Sequence, residues 1–147
     1  MTKEISELRA SIDAIDDKII TLLNERSKIV KTVGMTKKQR QKDGMAFIRS
    51  GREADVIKRI YNSFNNGIFP AEAAVHIWRM VICASLSLES QLIISVNKQD
   101  IEAIVLANSY FGSFTPINTH ASNQEVINDL ISGKAEVGVF TINQRNN

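Results

Sequence analysis

The chain has 147 residues, 44% hydrophobic and 23% charged, with a formal net charge of +2. That is an ordinary globular balance, enough for one domain or for one small domain and part of another. It gives no ground for a nucleic-acid partner, and the one cysteine, Cys83, excludes a disulfide framework within a single chain.

Cys83 lies in an apolar helical stretch and reads as a small core residue rather than a nucleophile. No apolar run approaches the ~18 residues of a membrane span. The N-terminus, MTKEISELRA, lacks the apolar centre of a signal peptide. The expectation is a cytoplasmic protein with no membrane partner.

The first predicted helix starts near Thr2, with Glu4 and Glu7 suited to the positive end of the helix dipole. Its apolar positions are Ile5, Leu8, Ile12, Ile15, Ile19 and Leu22, in steps of three and four, resuming at Ile29 and Val33. The slot between Leu22 and Ile29 is position 26, an arginine. The stripe spans roughly 40 Å at 1.5 Å per residue. A stripe that long and narrow calls for another long helix, most simply the same helix of a second subunit.

Residues 38–51 read as a loop with a basic cluster, Lys37, Lys38, Arg40 and Lys42, and an apolar tuck from Met45 to Ile48. A second helix is predicted from Arg52 to Phe64, with Val56, Ile57, Ile60, Tyr61 and Phe64 on one face. Asn65-Asn66-Gly67 ends it, with Gly67 as a left-handed cap. Pro70 suits the first turn of a third helix, which carries Ala74, Ile77, Trp78, Val81, Ile82, Ser85 and Leu88 and runs to about Ser90.

After Gln91 the pattern changes. Leu92–Val96 reads as a strand, and a helix follows to Tyr110, stopped by Gly112. Phe114–Thr119 alternates weakly. Ser122-Asn123-Gln124-Glu125 is a capping box opening a helix to Ile131, and Val137–Ile142 reads as a last strand. The fold class is mainly α: three helices, then a short, incomplete α/β segment. The expected domains are 1–91 and 92–147.

Position 26 is the chemical question. A buried guanidinium without an anion costs several kcal/mol. It needs a carboxylate, from the protein (Glu53 is one source) or from a ligand. Lys37 follows Arg26 by 11 residues, about 20° around the helix and about 16 Å along it, so both share a face. Arg9 is about 100° off that face and about 25 Å away; it cannot serve the same pocket within one chain, but could serve a partner's if two long helices pair antiparallel. Arg52 and Glu53 open the second helix. Ser85 and Glu89, four apart, are neighbours on the third. His76 reads as a surface helix residue and His120 as a loop residue. There is no nucleophile–base pair, metal-ligand spacing or phosphate-binding glycine loop, so the expectation is binding and electrostatic preorganisation with no cofactor and no metal.

Five pieces in order carry a resemblance: Leu8-Arg9-x-x-Ile12-Asp13-x-Ile15-Asp16, Leu22-Leu23-x-Glu25-Arg26, Val33-Gly34-x-x-Lys37, Gly51-Arg52-Glu53-Ala54 and Ile77-Trp78-Arg79. Over residues 5–91 the chain resembles the all-helical chorismate mutases. That resemblance implies an intertwined homodimer of three-helix chains that rearranges chorismate to prephenate. It implies that Arg9, reaching into the other chain's pocket, and Arg26 clamp the two carboxylates. Lys37 is then the cation on a carboxylate and on the ether oxygen of the breaking bond. Arg52 is a further site arginine, Glu53 accepts the ring hydroxyl, Ser85 is a polar site residue, and Glu89 donates to the ether oxygen. Because a carboxyl group donates only when protonated, activity is expected to fall as pH rises, and Glu89→Gln to flatten that fall.

One departure from the family pattern is Ile48-Arg49-Ser50-Gly51, where some members place an Asp at position 49. More weakly, Tyr110-Phe111-Gly112-Ser113, Thr119-His120-Ala121-Ser122 and the Gly-Val-Phe strand resemble the opening of a prephenate-dehydratase-like domain, to which no catalysis is assigned. Two other readings stand beside the mutase: isochorismate pyruvate lyase of the same fold, and a non-catalytic helical dimer regulating an aromatic-pathway enzyme.

Overall fold

The computed structural model describes residues 2–40, 50–89 and 91–142. It divides into two compact units, Met1–Lys42 and Asp43–Asn147.

The first unit is one helix, α1 (Thr2–Arg40), of 39 residues. It runs about 58 Å at 1.5 Å per residue. It passes through Gly34 and Lys37 and continues to Arg40, so residues 38–40 are helix and not the expected loop. Ser11, Thr21, Ser27, Thr32 and Thr36 each donate a side-chain hydrogen bond to the carbonyl four residues earlier, which satisfies their hydroxyls without breaking the helix. The apolar seam is exposed over its whole length, from 41% at Val33 to 66% at Ile29.

The second unit begins with α2 (Ser50–Phe64) and α3 (Ala71–Glu89), packed against each other. The buried apolar residues of this helix pair are Ile60 on α2 and Ala71, Ala74 and Cys83 on α3, the two alanines being small enough to let helices approach closely. The turn between them is closed by Gly67 N–H donating to the Phe64 carbonyl at 3.0 Å and by the Phe64 and Phe69 rings, 5.7 Å apart. Gly67 is not the left-handed cap expected of it: among the described residues positive φ occurs only at Gly112 and Gly133. The predicted tuck Met45–Ile48, and Arg49, lie outside the described residues.

Contrary to the expectation from apolar runs, α3 is long and apolar enough to cross a membrane by length and composition. A core helix passes the same test. Here α3 carries Glu72, His76, Arg79 and Glu89, and packs on α2 and on α4 of the following segment, which accounts for part of its apolar content without a membrane.

The α/β segment comprises β1 (Ile94–Asn97), α4 (Ile101–Phe111), β2 (Ile117–His120), α5 (Asn123–Ile131) and β3 (Val137–Val139). The sheet is parallel throughout, in the order β2-β1-β3, with Ile94 opposite both Ile117 and Val137. The central strand is covered on both faces: Ile94, Ser95 and Val96 are all 0% exposed. Leu92, Ile94, Val96 and Ala107 form the core, and Leu86 of α3 packs against it. Both helices are capped from the side chain. Asp100 accepts the Ala103 N–H at 3.0 Å, and Ser122 accepts the Glu125 N–H at 3.3 Å while Glu125 accepts the Ala121 N–H at 2.9 Å. Gly112 ends α4 at φ 84°, where a Cβ would also run into the Phe114 ring.

Candidate active site

The predicted cations of the first unit all lie on α1. Because that helix is unbroken, Arg26 and Lys37 keep a common face, and Arg9 is turned away from it. Arg9 is exposed and Arg26 half-buried among the exposed apolar residues of the seam. Arg26 is partnered, as are Ser85 and Glu89. The Lys37 side chain lies outside the described residues.

In the second unit, Arg52 and Glu53 sit in the first turn of α2, and Ser85 and Glu89 in the last two turns of α3. Arg52 is exposed, Glu53 and Glu89 are half-buried, and Ser85 is buried. The Ser85 hydroxyl donates to the Val81 carbonyl at 2.7 Å, so it brings no unsatisfied donor into the interior.

Glu53 is the most elaborated of these positions. Its Oε1 accepts the Tyr110 hydroxyl at 3.1 Å and lies 3.6 Å from Arg79 Nη1. The Arg79 guanidinium lies over the Tyr110 ring, 5.0 Å from its centre. Glu53, Arg79 and Tyr110 line one wall of a cleft of about 450 Å³ that is completed by Ile57, Tyr61 and Val75. Burial, then the charge of Glu53 and its hydrogen bond, raise the pKa of Tyr110, so it stays a phenol and a donor. The Cys83 thiol donates to the Tyr110 carbonyl at 3.6 Å. Burial first, and then the Glu53 charge, push this thiol up to about 11, with Arg79 opposing. It is therefore a core thiol and not a thiolate nucleophile at neutral pH, as its apolar surroundings suggested.

Arg79 and Tyr110 were not among the sequence candidates. Arg79 had a local signal: a cation on an apolar helix, four residues before Cys83 on the same face. Tyr110 had none, because it meets Glu53 across 57 residues of sequence. The histidines divide. His76 is an exposed helix residue, as expected. His120 is not in a loop. It ends β2 and bonds Asp129 at 2.6 Å through Nε2, with Glu125 3.7 Å from Nδ1. The same Asp129 oxygen accepts from Ser95 and Asn118, both at 3.3 Å.

Residues 8–90 match the family model of chorismate mutase type II. The chain belongs to that family. All seven predicted site positions, Arg9, Arg26, Lys37, Arg52, Glu53, Ser85 and Glu89, fall inside the matched stretch. The chain is 33% identical over 147 residues to a bifunctional chorismate mutase/prephenate dehydratase of Aquifex aeolicus, covering 95% of this chain. It is 28% identical over 142 residues to the protein of that name in Pseudomonas aeruginosa, and 34% identical over 99 residues to the one in Neisseria gonorrhoeae. The chain spans 39% of the length of the Aquifex and Pseudomonas relatives. Family membership agrees with a site built for binding and electrostatics. The polar groups brought together at Glu53 are its carboxylate on α2, the Arg79 guanidinium on α3 and the Tyr110 hydroxyl on α4, and the Cys83 thiol near them is protonated.

Proposed function

We propose that this chain is an isomerase of aromatic amino acid biosynthesis, converting chorismate to prephenate by an intramolecular [3,3] rearrangement. The observation that carries the reading is the family match over residues 8–90, with every predicted site position inside it. The reaction breaks a C–O bond while a C–C bond forms within one molecule. It requires no nucleophile and no proton transfer, only a folded substrate and positive charge where the ether oxygen becomes negative. In this reading Arg26 and the partner chain's equivalent of Arg9 hold the two carboxylates. Lys37 and Glu89 serve the ether oxygen. Arg52 and Ser85 complete the polar wall, and Glu53 accepts the ring hydroxyl. The working unit is a homodimer.

The exposed seam of α1 supports the dimer. The eight apolar side chains at the seam positions, from Ile5 to Val33, are exposed on a helix of 39 residues. Each is already about half covered, so covering the remainder would contribute roughly 1 kcal/mol apiece. A second copy of the same helix matches the seam in length and in spacing. In this reading residues 1–91 are the mutase domain and residues 92–147 the α/β segment that follows it, and no dehydratase step is assigned to the latter.

The deciding assay mixes pure protein with chorismate and follows its ultraviolet loss together with prephenate formation. Turnover that disappears in both Arg26→Ala and Lys37→Ala supports the reading. A folded wild-type protein with no turnover sinks it, and release of pyruvate from isochorismate would transfer it to the lyase.

A further inference from the structure

At the end of α4 the α/β segment brings a polar side chain, Tyr110, to Glu53 of the mutase helices. We propose that Tyr110 is a positioning residue that holds the Glu53 carboxylate in the orientation from which it accepts the ring hydroxyl of the substrate. This inference rests on the reading of Glu53 as a substrate-binding residue and assigns a mutase role to the segment that follows the mutase helices.

The argument begins with which oxygen is used. The Tyr110 hydroxyl and the Arg79 guanidinium both approach Oε1 of Glu53, at 3.1 and 3.6 Å. One hydrogen bond and one ion-pair contact on the same oxygen restrict the carboxylate's rotation about its last bond and leave Oε2 as the oxygen a ligand hydroxyl would meet. A carboxylate that is already oriented loses less rotamer freedom on binding. The two donors also hold each other, since the guanidinium lies over the phenol ring.

Tyr110 is in turn fixed by the α/β fold. Its carbonyl accepts the Cys83 thiol, and its ring stands edge-on to Phe111 with centres 4.8 Å apart. Phe111 packs against the sheet core, and Gly112 closes the helix immediately afterwards. The sheet thus determines where the hydroxyl sits, although it is remote in sequence from the helix that carries Glu53.

The ring hydroxyl carries the same charge before and during the rearrangement. An interaction with it is therefore made equally in ground and transition state, and its loss shows in KM rather than kcat. The test uses the full chain. Tyr110→Phe keeps the ring under Arg79 and removes only the hydroxyl. The expected result is a KM for chorismate raised roughly three- to tenfold, the scale of one ordinary hydrogen bond. The kcat should change by less than about twofold, and the melting temperature should be unchanged. In a Glu53→Ala background, Tyr110→Phe should add nothing, because the carboxylate it orients is gone.

An unchanged KM overturns the proposal. A lowered KM overturns it too, showing that the phenol competes with substrate for Glu53. An effect that persists in Glu53→Ala overturns it by showing that Tyr110 acts elsewhere. The parent reading fails separately: if Glu53→Ala leaves both constants unaltered while Arg26→Ala abolishes turnover, Glu53 is not a substrate residue, and the positioning role falls with it.

Discussion

Isoleucine, leucine and valine meet opposite fates in the two units. On α1, Ile5, Leu8, Ile12, Ile15, Ile19, Leu22, Ile29 and Val33 all stand exposed. On β1, Ile94 and Val96 are sealed from solvent between α4, α5 and the flanking strands. The strand is only four residues long, yet parallel pairing on both edges and a helix on each side remove it from water. The helix is nearly ten times longer and presents its apolar stripe to solvent. A short strand obtains its cover from chain that follows within a few tens of residues. A long straight stripe needs a surface of its own length, and in our reading a second copy provides it.

The strongest way to break that contrast is to charge the seam. Ile15→Asp should convert the proposed dimer to monomers in light scattering and remove turnover with it, because in our reading the site draws Arg9 from the partner. A dimeric, active Ile15→Asp would show that α1 is covered by something else. Arg26→Ala comes next. It should keep the dimer and lose activity by about two to three orders of magnitude, the scale of removing one preorganised charge. If assembly is lost along with activity, Arg26 is a packing residue of the seam.

On the other side, Ile94→Ala empties part of a closed core and should cost about 2–5 kcal/mol in denaturant unfolding of the α/β segment. Hydrogen exchange should rise in β1, β2 and β3 while the α1 amides remain as protected as in wild type. Equal loss in both would mean that the regions unfold as one cooperative body.

The smallest effect concerns pH. Burial acts to raise the pKa of Asp129. The hydrogen bonds from His120, Asn118 and Ser95, with the charge of His120, outweigh it and hold the carboxyl below the ordinary Asp range. A depressed folded-state pKa means stability that is fully present above the unfolded Asp value and is lost as pH falls through the folded one. Thermal melts at decreasing acid pH should show the sheet segment weakening in that window, and Asp129→Asn should flatten the dependence. An equal acid sensitivity in that variant would place the titrating group elsewhere.

The helices of the first ninety residues were legible because their signal is local. The three-and-four spacing of Ile5 to Val33 follows from backbone geometry alone, and so does the face shared by Arg26 and Lys37. The capping box at Ser122 and the stop at Gly112 were legible for the same reason: each is settled within a few residues. Helix ends were less so. Helix α1 runs through residues 38–40, predicted as loop, and α2 already includes Ser50 and Gly51. Gly67 looked like a left-handed cap by type and position, but a turn hydrogen bond at ordinary φ serves there.

The sequence by itself thus determined the long helical seam with a guanidinium set into it, the three-helix pattern of its family and the presence of a small α/β segment. All of these are written in periodicity, spacing and residue type. Only the tertiary structure decided that the sheet is parallel in the order β2-β1-β3, that His120 is bound to Asp129, and that Tyr110 and Arg79 meet on Glu53. Those facts depend on which surfaces pack together. A polar side chain carries no local mark of the partner that packing will bring to it.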